Sequence, residues 1–297
     1  MWRMGLRQAG RFALGLLGAI ILAALVSAAG THTSGVVPFV SGVLSRLYAM
    51  MHLDFGLSSV SALPAWSELS RRLPATLELV GFGALIAVLV GTPVGMLLSA
   101  GRVLRASAPL IQVVAAAPVF CAGLALLWLS ERVLHWTGAP RETSFSSAFA
   151  SGNWGAVEAG LRAVALPALT VGAAGAANVQ LALRRAVSHA AEEPYRRGLR
   201  ALGLGRFEID RLYLVPQVLA GLLQSLGEIA SSLLAAAAVA EWVFDWPGAA
   251  DLFLRSVALQ DWAVVGLVLL VFAALTMTAE FFGVMAARLL ADTERGL

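Results

Sequence analysis

The sequence predicts an all-α, polytopic membrane protein with six transmembrane helices. Three observations carry that prediction. Of 297 residues, 59% are hydrophobic and 13% charged, whereas a soluble globular chain carries about 25% charged residues. The apolar residues fall in long Ala/Leu/Val/Gly runs, each near the roughly 20 residues that a helical span needs. Backbone polar groups in hydrocarbon must bond within their own segment, so these runs favour helices over barrel strands. Finally, the cations punctuate the runs, and every one is arginine, because the chain contains no lysine.

Arg3, Arg7 and Arg11 precede the first span, Phe12 to Ala29. Val26-Ser27-Ala28 resembles a signal-peptide cleavage site, but five further spans follow, and an uncleaved first helix is the better reading. An external segment, Gly30 to Arg72, carries helical patches such as Val40 to Met50. The second span runs from about Thr76 to Ala100, its pattern interrupted by Gly91, Pro93 and Gly95, and is followed by Arg102 and Arg105. The third covers Ala108 to Leu129, with Pro118 inside. Ser130 to Glu158 form an external loop, and the fourth span, Leu161 to Leu183, stops at Arg184-Arg185. The fifth span runs from Val218 to about Val239. Trp242, Trp246 and Trp262, on or beside the external segment Glu241 to Asp261, suit a membrane interface. The last span, Ala263 to Ala287, closes with Arg288 and Arg295.

On this topology fourteen arginines fall inside and seven outside, which sets both termini in the cytoplasm. The same rule accounts for the basic balance without nucleic acid. The lone Cys121 is expected in the core, and Gly172 to Ala177 is expected to let helices approach closely. His32, His52, His135 and His189 show no ligand spacing, so no metal site is expected. Asp54-Phe55-Gly56 spells a kinase triplet, but no glycine loop or catalytic lysine accompanies it. Without lysine there is no Walker A loop, so any ATP hydrolysis belongs to another subunit.

The most polar stretch is Glu192 to Pro216. Glu192 and Glu193 favour a helix N-terminus and Pro194 the first helical position. Tyr195, Leu199 and Leu202 share one face, Arg196, Arg197 and Arg200 the other, and Gly203 and Gly205 can end the helix. A short basic helix with an apolar stripe is suited to docking on another protein. The bland alternative is a solvated loop that only sets topology.

Arg197-Gly198-Leu199, three residues, Gly203, nine residues, then Tyr213-Leu214-Val215-Pro216 resembles in spacing the coupling loop of ABC importer permeases (EAA, three residues, Gly, nine residues, I-x-L-P). The EAA letters are absent. Tyr195, Arg197, Arg200, Ala201, Gly203 and Leu204 instead resemble the Y-V-R-T-A-R-A-K-G-L form of the dipeptide, oligopeptide and nickel branch, with Leu202 where lysine is usual. Asp54-Phe55-Gly56 with Arg72-Leu73-Pro74-Ala75-Thr76-Leu77-Glu78-Leu79, Pro118-Val119-Phe120, and Glu241-Trp242-Val243-Phe244-Asp245-Trp246-Pro247-Gly248 are similar to three more stretches of that branch. The external region after the first span is shorter than usual and lacks P-G-D-P.

The resemblance implies the type I ABC importer transmembrane fold and a B-type permease subunit for di- or oligopeptides, with nickel or another small solute as the alternative and a secondary transporter as the remote one. Residues 1–71 would form an N-terminal helix and external segment, and 72–297 the permease core with its coupling loop at 186–216. It implies ATPase coupling by Tyr195, Arg197, Gly198, Leu199, Arg200, Ala201, Gly203, Leu204 and Pro216. It also implies a second homologous permease, two cytoplasmic ATPases and an extracytoplasmic binding protein in a bacterial inner membrane. ATP and magnesium would sit on the ATPases, and this chain would carry neither cofactor nor catalytic residue.

Gln224 and Glu228 lie four apart in the fifth span, on one helical face. A carboxylate within the membrane is costly and functional by default. Two readings stand: both residues line the translocation path, or Glu228 is hydrogen-bonded near Ser225, Ser231 or Ser232 at a helix interface. Glu280 reads as a partner-facing or interfacial residue.

Overall fold

The computed structural model describes residues 2–29, 36–100, 118–133, 149, 152–192, 205, 208 and 215–295. These form helices α1 (Trp2–Ala29), α2 (Val36–Met51), α3 (Ala65–Ala100), α4 (Val119–Arg132), α5 (Trp154–Glu192), α6 (Val215–Gln224), α7 (Leu226–Val243), α8 (Ala249–Ala258) and α9 (Trp262–Arg295). Among the described residues the only β pairing is a single bridge, Leu57 to Pro64. Among the described residues five helices, α1, α3, α5, α7 and α9, are long and apolar enough to cross a membrane. They match the first, second, fourth, fifth and sixth expected spans. The third corresponds in part to α4, and its first half lies outside the described residues.

Small residues, rather than large ones, bring the spans together. A Cβ on Gly172 would lie 2.6 Å from Ile86, and one on Gly175 2.6 Å from Leu233. The Gly172–Ala177 run therefore does permit the expected close packing, with α3 on one side and α7 on the other. The Gly91, Pro93, Gly95 group does not interrupt α3, which runs unbroken for 36 residues. A Cβ on Gly91 would come 2.7 Å from the Ala176 carbonyl, and one on Gly95 2.8 Å from Leu183. These glycines are contact points, and prolines within a span are tolerated where neighbouring helices re-satisfy the backbone. Around these contacts Leu79, Val171 and Ala237 are fully buried in one core.

The contacts also establish relative direction. Stepping along α3 from Gly83 to Gly95 moves along α5 from Val171 to Leu183, so these two run parallel. Helix α7 is antiparallel to α5, with Gly175 at Leu233 and Arg185 at Glu228. Helix α1 is antiparallel to α9, with Ser27 at Gly266 and Gly15 at Met277. Ala23, Ala24 and Ala28 of α1 are fully buried, so the first helix is an integral part of the bundle. This alternation gathers Arg184, Arg185 and Arg288 at one end, where Arg288 donates to Gln8 Oε1 at 3.2 Å.

Three expectations are corrected. The fifth span is not one run but two helices, α6 and α7, separated at Ser225. Cys121 is exposed: α4 turns Gly123 toward Thr170 and Val243, and two residues away a side chain points about 200° round the helix. Trp246 is buried at 4% exposure rather than interfacial, whereas Trp242 is exposed.

Candidate functional site

Away from the arginine-rich end, three helices meet in a buried polar junction. Helix α8 begins at Gly248, which supplies no side-chain cap, so its first N–H groups need partners from elsewhere. Ala249 N–H donates to Thr76 Oγ1 of α3 at 2.7 Å, and Asp251 N–H donates to Glu241 Oε2 of α7 at 2.7 Å. The Thr76 hydroxyl in turn donates to Glu241 Oε1 at 2.5 Å. Glu241 is 0% exposed, and it is tolerated there because both its oxygens accept hydrogen bonds at a helix N-terminus. Gly248 is required by the close approach, since a Cβ would lie 2.2 Å from the Glu241 carboxylate. Trp246 Nε1 donates to the Ala75 carbonyl at 3.1 Å and closes the junction from the α7–α8 turn.

Around it lies a charged rim. The largely buried Asp251 accepts from Arg72 at 3.0 Å and from Arg255 Nε at 2.7 Å, and Arg255 also pairs with Asp245 at 3.1 Å. The hydrogen bond that Arg255 donates to Asp251 raises the pKa of its guanidinium above the ordinary value. Arg72–Leu79 and Glu241–Gly248, singled out separately in the sequence, are thus halves of one structure. The role of Asp251 was not legible, because its partner Arg72 is 179 residues distant.

At the arginine-rich end the geometry is looser. Ser225 has φ −89° and ψ 2°; its N–H takes the tight bond to Leu222 O at 3.0 Å, and its hydroxyl donates back to Gly221 O at 3.1 Å. On one side α6 packs on α5, where a Cβ on Gly221 would lie 2.6 Å from Ala186 Cβ. On the other, α9 approaches so closely that a Cβ on Gly283 would lie 2.2 Å from the Leu223 carbonyl. Glu228 pairs with Arg185 of α5 at 3.3 Å, and both side chains are exposed, at 70% and 57%. Ser225 and Ser232 bond to backbone carbonyls, so Arg185 rather than a neighbouring serine is the partner of Glu228. Gln224 is also exposed and lies across the break from Glu228. Glu280, exposed on α9, backs onto Gly227 and borders a cavity of about 50 Å³ together with Gln8 and Arg11.

Of the expected coupling residues, Pro216 lies in the first turn of α6, where its missing N–H costs nothing. Tyr195, Arg197, Gly198, Leu199, Arg200, Ala201, Gly203 and Leu204 lie outside the described residues. No group of three or more metal-binding side chains occurs among the described residues.

A bundle of long apolar helices locked by a buried polar junction defines a multi-pass integral membrane protein. Residues 83–292 match the family described as binding-protein-dependent transport system inner membrane component. The chain belongs to that family and is the membrane-embedded permease component of such a system. Similar proteins include the dipeptide transport system permease protein DppB of Escherichia coli K12, 28% identical over 77% of this chain and 73% of the relative. The probable D,D-dipeptide transport system permease protein DdpB of the same strain is 30% identical over 75% of this chain and 70% of its own. The protein of that strain named putrescine export system permease protein SapB is 28% identical over 73% of each.

Proposed function

We propose that this chain is one of two homologous permeases of an ATP-driven importer for di- or oligopeptides. Its arginine-rich end and both termini face the cytoplasm, and residues 186–216 couple it to two cytoplasmic ATPases that hold the ATP and magnesium. An extracytoplasmic binding protein delivers cargo to the opposite end. Residues 1–71 form an N-terminal helix and external segment, and 72–297 the transporting core. Tyr195, Arg197, Gly198, Leu199, Arg200, Ala201, Gly203, Leu204 and Pro216 carry the coupling, while Gln224 and Glu228 border the path.

The observation that carries this reading is the polar stretch Glu192 to Pro216, set between α5 and α6. The helices on either side of it touch at Ala186 and Gly221, so a push on the stretch reaches both. An apolar grip with a cationic rim is what a docking helix needs. Peptide cargo is supported by the names of DppB and DdpB. The name of SapB as a putrescine exporter favours a second reading, a small organic cation as cargo and outward movement.

Purification from native membranes in mild detergent tests the assembly. A Walker-A ATPase and a second permease should co-purify, and both should be lost with Arg200→Glu. Gly203→Pro should keep the complex but abolish uptake. Recovery of the chain alone or as a homo-oligomer overturns the proposal. Uptake of a labelled dipeptide, unaffected by excess putrescine, decides for peptide; the converse decides for the small cation.

A further inference from the structure

Arg185 and Ala186 are neighbours on α5, yet they hold opposite sides of the break at Ser225. Ala186 touches Gly221 of α6, while Arg185 pairs with Glu228 of α7 at 3.3 Å. Between these two attachments the chain is joined through one residue, whose N–H has left the α-helical pattern for the tighter bond to Leu222 O. The angle between α6 and α7 is set by α5 through Ala186 and Arg185, and by α9, where Gly283 meets both the Leu223 carbonyl and Leu226 and where Gly227 backs onto Glu280. The two attachments differ in kind. The contact at Gly221 has no side chain to give way, and α6 is backed on its other side by Gly283 of α9. The ion pair is exposed, long for a hydrogen bond and made by two flexible side chains, so it can separate without opening the core.

We infer that Arg185 is a positioning residue: its ion pair with Glu228 latches α7 to α5 across the hinge at Ser225, and transport requires its release. Arginine at this place has been accounted for above only as a mark of topology. The latch gives Glu228 a role beside the path that does not involve touching cargo. The link to transport rests on the importer reading; the latch itself rests on the geometry of α5, α6 and α7. In this structure the pair closes across the break. Release of the pair frees the start of α7 from the end of α5, while Leu233 against Gly175 keeps the rest of α7 packed.

Hydrogen exchange over residues 222–229 of the purified chain tests the latch without any ATPase. Arg185→Glu and Glu228→Arg should each speed exchange about two- to fivefold, the scale of an exposed ion pair, and the double reversal should restore protection. No change in either single variant, or a double variant as fast as the singles, overturns the latch. In the assembled transporter each single reversal should raise ATP hydrolysis without cargo and lower uptake per ATP, and the double reversal should recover both. A Glu228→Arg variant that changes only cargo preference, unrepaired by Arg185→Glu, overturns the latch in favour of a cargo contact. If no ATPase co-purifies, the importer reading falls, while the exchange measurement still decides the latch. Should a charge variant fail to fold, the pair Arg185→Cys and Glu228→Cys, made with Cys121→Ser to remove the exposed thiol, serves instead, bridged by a thiol-reactive cross-linker with a reducible spacer because the two side chains meet only at their tips. Cross-linking should then stop uptake and reduction of the spacer restore it; full uptake by the cross-linked protein overturns the inference.

Discussion

Helix α7 carries a glutamate near each end, and the two are held in opposite ways. Glu241 is completely buried, accepts hydrogen bonds from the Thr76 hydroxyl and the Asp251 N–H, and faces the N-terminus of α8. Glu228 is 70% exposed and held by one arginine at 3.3 Å. A carboxylate withdrawn from water stays only if donors replace the water, so the junction around Glu241 is made once, on folding. The Arg185–Glu228 pair lies outside the packed core, so it can part without leaving a buried group of this chain unpaired. One residue type therefore makes a buried joint at one end of the helix and an exposed ion pair at the other.

The largest effect should come from removing the fixed joint. Glu241→Ala leaves the Thr76 hydroxyl and the Asp251 N–H without their acceptor, and should destabilise the chain by about 3–5 kcal/mol. Thermal unfolding in detergent, or loss of the monodisperse peak on size exclusion, reads it. Glu228→Ala should lower stability by less than about 1 kcal/mol in the same assay. Equal losses in the two variants would break the distinction between the ends.

Thr76→Val sharpens the comparison by keeping the shape and removing the hydroxyl. That hydroxyl both donates to Glu241 and accepts from Ala249 N–H, so two buried groups lose a partner, and a loss of about 1–3 kcal/mol is expected. Thr76→Ser keeps the hydroxyl and should recover most of it. If Ser is as harmful as Val, packing by the threonine methyl holds the junction, not the hydrogen bonds.

What the sequence made legible follows the same division. Long apolar runs ended by arginine located the spans within α5 and α9, since a bilayer imposes span length and charge placement locally, though both helices continue past the arginines, to Glu192 and Arg295. The break at Ser225 was hidden, because Leu223-Gln224-Ser225-Leu226 contains no proline and reads as helix. It coincides with the backbone of α9 pressing on the Leu223 carbonyl at Gly283, a contact from 60 residues away that no local period reports. Arg72–Leu79 and Glu241–Gly248 were visible as motifs, but Trp246 was assigned to an interface because an external tryptophan near a span usually lies there. Its Nε1 instead finds Ala75 O, 171 residues earlier. Cys121 failed for a related reason: burial tendency is an average over residue types and does not know which face of α4 meets α5.

The smallest effect is expected at the outermost member of the junction. Asp245 is 91% exposed at its side chain and reaches Arg255 at 3.1 Å, while Arg255 keeps its firmer bonds to Asp251. Asp245 adopts φ +47°, a left-handed conformation that asparagine accepts as readily as aspartate. Asp245→Asn therefore removes one screened charge contact and disturbs neither backbone nor core, so no resolvable change in melting temperature is expected. A fall comparable to that of Thr76→Val would mean that the exposed rim, rather than the buried carboxylate, fixes α8 to α3. The contrast between the two ends of α7 would then rest on charge pairing at both, and the hinge end would no longer be distinguished by its exposure.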